Sequence, residues 1–78
     1  MTATITHPRS ATETLDIYFL EMRAKLLEIG ATLDRIDRSA RPMEVAADPR
    51  LTFVREALAV LQGTGPERAR RIAELYSL

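Results

Sequence analysis

The sequence predicts an all-α protein. One long helix spans about residues 11–39 and two short helices span about 49–62 and 65–77, paired into a helical bundle as a homodimer. Three observations lead there. Apolar residues recur at alternating spacings of three and four from Leu15 to Ile36, the period of a helix, on two sides of the same segment. Each expected helix is preceded by a start signal: Ser10 with Glu13, Asp48-Pro49, and Gly65-Pro66. No stretch alternates polar and apolar as a half-buried strand would, apart from the short Thr2–Thr6.

Residues 1–9 are rich in threonine, contain a His-Pro step and carry no helical period, which predicts a flexible N-terminal arm. Residues 10–78 are then a single helical domain. Ser10-Ala11-Thr12-Glu13 has capping-box spacing, a hydroxyl acceptor with a glutamate three residues on, so the long helix should begin there. From that cap Leu15, Phe19, Met22, Leu26, Ile29, Leu33 and Ile36 form one heptad stripe, which Ala40 would extend. Ile17, Leu20, Ala24, Leu27 and Ala31 form a second apolar face, roughly 120–200° around the helix at 100° per residue. Charged residues occupy the strips between, with Glu21–Lys25 and Asp34–Arg38 at ion-pair spacing. A helix of about 28 residues is roughly 42 Å long. With apolar residues on two sides, it needs a neighbour on each. The two short helices can cover one side, and a second copy of the chain the other. Gly30 stands inside this helix, where glycine costs about 1 kcal/mol relative to alanine. It fits either a tolerated defect or a close approach between helices.

Arg41-Pro42 should end the long helix, and residues 40–47 form a connection. Asp48-Pro49 supplies an N-cap followed by a proline at the first helical position. Leu51, Phe53, Val54, Ala57, Leu58, Val60 and Leu61 give the second helix a broad apolar face, and Gly63 ends it. The third helix has a thinner apolar side of Ala69, Ile72, Ala73 and Tyr76.

At 78 residues the chain buries roughly 60–65% of its unfolded surface, a marginal core for one small domain. There is no cysteine, so disulfides and thiolate metal sites are excluded, and oligomerisation is the expected supplement. Eleven basic residues balance eleven acidic ones, unlike a strongly basic nucleic-acid binder or a polybasic membrane module. Apolar runs such as Ile17–Leu20 are far too short to span a membrane, and the N-terminus lacks a signal-type apolar core, so a cytoplasmic location is expected. The one histidine, His7, lies in the arm, and Ser10, Ser39 and Ser77 sit at expected helix ends, so no nucleophile is placed beside a base. The helical acids flank the apolar stripes and no Glu-x-x-His motif occurs; no catalytic residue, metal site or cofactor is expected. Met22 on a heptad stripe reads as core filling, and Tyr18 and Tyr76 as amphipathic residues at a core's edge.

One segment carries a sharper signal. In FVREALAVLQGTGPERARRIAELY, residues 53–76, Leu58 and Leu61 precede a turn containing Gly63 and Gly65, Pro66 follows, and Ala69 and Ile72 lie beyond. This resembles the helix-hairpin-helix motif of DNA repair and processing proteins. Thr64 stands where that family has a hydrophobic residue, and Gln62 where it commonly has proline. The resemblance implies backbone N–H groups at Gly63 and Gly65 facing a DNA phosphate, with Arg68 and Arg71 adding charge and no base being read. The same residues also compose an ordinary connection between helices. Gly63 is then a C-cap, Thr64 and Glu67 a capping box, and Arg71 and Arg70 pair with Glu67 and Glu74. The reading that follows is a non-enzymatic, homo-oligomeric module for protein–protein interaction or assembly. Its partners are itself and an unidentified protein. The alternative is sequence-independent binding of a nucleic-acid backbone through the hairpin.

Overall fold

The computed structural model describes residues 8–76. Every regular element among them is helical: α1 (Ala11–Asp37), a short 3-10 turn (Pro42–Val45), α2 (Pro49–Gln62) and α3 (Arg68–Leu75). The all-α expectation holds. Most of the expected arm, His7 included, lies outside the described residues. Two compact units are present, the first ending at Arg38 and the second beginning at Ser39.

In the first unit, α1 starts where its cap predicts. The Ser10 hydroxyl accepts from the Glu13 backbone N–H at 3.1 Å, and the Glu13 carboxylate accepts from the Ser10 N–H at 3.1 Å. Two of the N–H groups that a helix start leaves without intrahelical partners are thus satisfied, and the Ser10 bonds hold the Glu13 carboxyl below its ordinary pKa. Lys25 and Glu21 form the expected pair at 2.9 Å. The helix ends at Asp37, two residues short of the expected boundary. The Arg38 N–H closes back onto the Asp34 carbonyl, and this backbone bond is formed where a side-chain pair between them was expected. Approaching Pro42 explains the stop, since proline forces the residue before it out of the helical region, and Arg41 is accordingly at φ −142°, ψ 73°.

In the second unit, the connection expected over 40–47 contains a 3-10 turn closed by Glu44 N–H to the Arg41 carbonyl at 3.0 Å. α2 begins at Pro49 under an Asp48 cap and ends at Gly63, whose N–H bonds the carbonyls of Ala59 and Val60. α2 packs against α3. The Phe53 and Tyr76 rings meet at 5.7 Å between centroids with a 54° tilt, an aromatic pair joining the two helices. Leu51, Val54, Ala57, Leu58, Val60 and Ile72 are half-buried in this unit.

The third helix differs from expectation at its start. It begins at Arg68, not at residue 65. Gly65 has φ +110° and Glu67 sits in the left-handed region at φ 59°, ψ 40°, so the chain turns through residues 64–67 before it can become helical. The capping box expected from Thr64 and Glu67 does not form, since a cap must lie at the helix start and α3 has no side-chain cap. Glu67 pairs with Arg70 at 2.6 Å, where Arg71 was expected; Arg70 also reaches Glu74 at 3.7 Å, as its spacing predicts.

The Ser10 cap gives a direct check on α1. Ser10→Ala should lower stability by about 1 kcal/mol, the usual cost of losing an N-cap hydroxyl. Urea denaturation followed by circular dichroism at 222 nm measures it. An unchanged midpoint would mean that the α1 start contributes nothing to the measured transition.

Candidate functional site

The surface of α1 is the outstanding feature. A helix of 27 residues carries both predicted faces, and no described residue anywhere in the chain is buried. On the heptad stripe Leu15, Phe19, Met22, Leu26 and Ile29 are all exposed, from 37% at Ile29 to 57% at Leu26, while Leu33 and Ile36 are half-buried. On the second face Ile17, Leu20 and Leu27 are exposed, Leu20 to 75%, as is Ala24; Ala31 is half-buried. Single exposed leucines are ordinary on protein surfaces, but a contiguous array of large apolar side chains marks a binding surface.

Between the two faces lies a shallow groove on α1. Phe19, Met22 and Leu26 line one flank, Leu27 and Ala31 the other, and Gly30 the floor. Arg23 and Asp34 also line it. A Cβ placed on Gly30 would meet nothing within 4 Å, so no neighbour in the chain requires glycine there.

The hairpin between α2 and α3 is the second place to look. Gly63 lies in extended backbone and its N–H is engaged at the end of α2. Gly65 holds the positive φ that only glycine adopts at little cost. Arg68 donates from Nη2 to the Gly63 carbonyl at 3.0 Å, bracing the turn from the far side. Arg71 lies under the turn, its Nη2 3.7 Å from where a Gly65 Cβ would be. The Nε and Nη2 of Arg71 are shut off from solvent and have no hydrogen-bond partner among the described residues. The sequence marked Gly63, Gly65, Arg68 and Arg71 together, and the fold brings them together around one turn. The difference between the two arginines, one braced and one unpartnered, is not visible in the sequence.

A third cluster is electrostatic. Asp48 Oδ1 accepts from the Arg50 backbone N–H at 2.8 Å and from Arg50 Nε at 3.0 Å, while Oδ2 accepts from Arg50 Nη2 at 2.8 Å. The side-chain bonds from Arg50, then its backbone bond, hold the Asp48 carboxyl down at about 2, from an ordinary 3.8. This fork is structural, a cap on α2 rather than a reactive acid. Among the described residues no three His, Cys, Asp or Glu side chains group to hold a metal ion, and no helix is long and apolar enough to cross a membrane. The chain matches no family model, no curated protein and no solved structure.

The Asp48 fork sets a pH dependence. Its folded pKa is depressed, so its contribution is present above the ordinary value of 3.8 and is lost as pH falls toward about 2. Asp48→Asn keeps an N-capping side chain but cannot titrate. Thermal denaturation of both proteins should show the wild type losing more stability than the variant between about pH 4 and pH 2. Parallel curves over that range would refute the assignment.

Proposed function

We propose that the protein is a non-enzymatic helical module that associates with a second copy of itself through α1 and serves protein–protein interaction or assembly. The observation that carries this reading is the exposure of large apolar side chains on both sides of α1, from Leu15 to Ile29 on one side and from Ile17 to Leu27 on the other. Most helical stability in proteins comes from packing an apolar face rather than from intrinsic propensity. Two faces call for more than one neighbour. A second copy is available wherever the first exists, and a two-fold pairing lets one surface serve both partners.

A second reading rests on Arg71. Buried guanidinium donors without acceptors cost about 1–3 kcal/mol or more unless something satisfies them. A phosphate oxygen at the Gly65 turn would supply acceptors beside an arginine and a helix N-terminus. The alternative therefore keeps a nucleic-acid backbone as ligand, with no base recognition, and rests on Gly65 and Arg71 rather than on the Gly63 N–H, which α2 engages.

Light scattering at micromolar concentration should give at least twice the mass of one chain; a well-folded monomer would sink the first reading. Leu26→Ala should destabilise the assembly by about 2–5 kcal/mol, the range for large-to-small changes at packed sites, and the loss should grow on dilution as folding and association are coupled. A cost below about 1 kcal/mol, typical of surface positions, would show that Leu26 packs against nothing.

For the second reading, duplex DNA should bind with a dissociation constant near 10⁻⁴–10⁻⁶ M, roughly the non-specific range, and release as salt rises. Arg68→Ala with Arg71→Ala should weaken that binding and flatten the salt dependence while helicity and mass are retained. No binding by the wild type at ~50 mM salt, or equal binding by both proteins, eliminates it.

A further inference from the structure

We propose that the second copy seats antiparallel on the groove of α1, in the register that sets Arg23 of each copy against Asp34 of the other. The proposal rests on the self-association reading above and adds the surface, the direction and the register.

The charges choose the direction. Arg23 and Asp34 line the same groove of one chain. They are eleven residues apart on α1, about 16 Å along the axis, too far to pair with each other. Among the described residues neither side chain has an ion-pair partner, although Lys25 with Glu21 and Arg70 with Glu67 do. A parallel, in-register pair would stack Arg23 on Arg23 and Asp34 on Asp34, which is unfavourable. The antiparallel pair makes the Arg23–Asp34 contact twice, once on each side of a two-fold axis between Glu28 and Ile29.

The shapes agree with the charges. The same register sets Leu27 of each copy opposite Gly30 of the other, a large side chain against the smallest at both contacts beside the two-fold axis. Gly30 is otherwise unexplained. Its backbone is ordinary right-handed helix, a Cβ there would meet nothing within 4 Å, and the residue weakens the helix that contains it. The absent side chain leaves the floor of the groove open for Leu27 of the other copy. The overlap runs from Leu20 to Asp37, about five helical turns.

The test uses the full chain. Arg23→Glu and Asp34→Arg are made singly and together, and the dimer dissociation constant is read by sedimentation equilibrium, with circular dichroism as the check on helicity. Each single variant should weaken the dimer about tenfold, because like charges then face each other twice. The double variant should return to within about threefold of wild type, since only residues in contact rescue one another. Independently, the otherwise wild-type chain with Thr12→Cys, its only cysteine, is spin-labelled. The distance between the two labels should be roughly 50 Å in the antiparallel pair, and nearer 10–15 Å in a parallel one. A dimer with a short label distance, or a double variant no tighter than the singles, overturns this register while leaving self-association standing. A wild-type chain that stays monomeric overturns both.

Discussion

The constraint from which everything else follows is that α1 is apolar on two opposite sides. A single helix can turn one side toward a neighbour. The groove lets one neighbour touch the near edges of both faces, while the strip carrying Glu21–Lys25 separates them on the other side of the helix. Large side chains such as Leu20 and Leu26 remain open to water. Two-sided amphipathicity of this kind is characteristic of helices inside a bundle, and the bundle proposed for this protein takes its additional helix from another copy. In such an arrangement association and folding are one equilibrium, and the hydrophobic contribution depends on how much chain is present.

The second unit is organised differently. Here local devices do much of the work: the Asp48–Arg50 fork at the start of α2, the Gly63 closure at its end, the Phe53–Tyr76 contact, and Arg68 reaching back to the Gly63 carbonyl. The polar contacts are short-range, the exposed ion pair worth little by itself, and with the half-buried Phe53–Tyr76 contact they define a hairpin. The result places Arg71 beneath a turn whose backbone direction is set by Gly65 and Glu67. A guanidinium with two donors that lack a partner among the described residues carries a local cost, and that cost is what the proposed phosphate contact would relieve.

Much of the fold could be read from residue spacing because capping chemistry is local. Ser10 with Glu13 and Asp48-Pro49 each announced a helix start that the structure has, and Gly63 announced an end. The misreadings have equally physical causes. Pro42–Val45 is too short to display any period, so its 3-10 turn looked like a plain connection. The start of α3 was placed three residues early because Gly-Pro is a good opening for a helix, whereas a glutamate at positive φ is uncommon and leaves no mark in the sequence. The α1 stripes were visible by period alone, but their exposure within one chain was not, since periodicity shows which residues want cover and not what covers them. In the hairpin, the four marked residues do surround one turn. Which arginine would be braced and which left unpartnered depended on the side-chain path after Glu67, and that is a tertiary outcome.

The lack of any buried residue among those described has a thermal consequence. The heat capacity change of unfolding and the denaturant m value both scale with the surface newly exposed. A lone chain that already holds Leu15, Leu20, Leu26 and Leu27 of α1 in water has less left to expose. Its melting would be shallow, with a small enthalpy and a nearly flat stability curve. A steep, cooperative melt of this protein would therefore measure surface hidden between molecules more than surface hidden within one. The curvature of that melt would be a calorimetric gauge of any area that α1 hides by the proposed association.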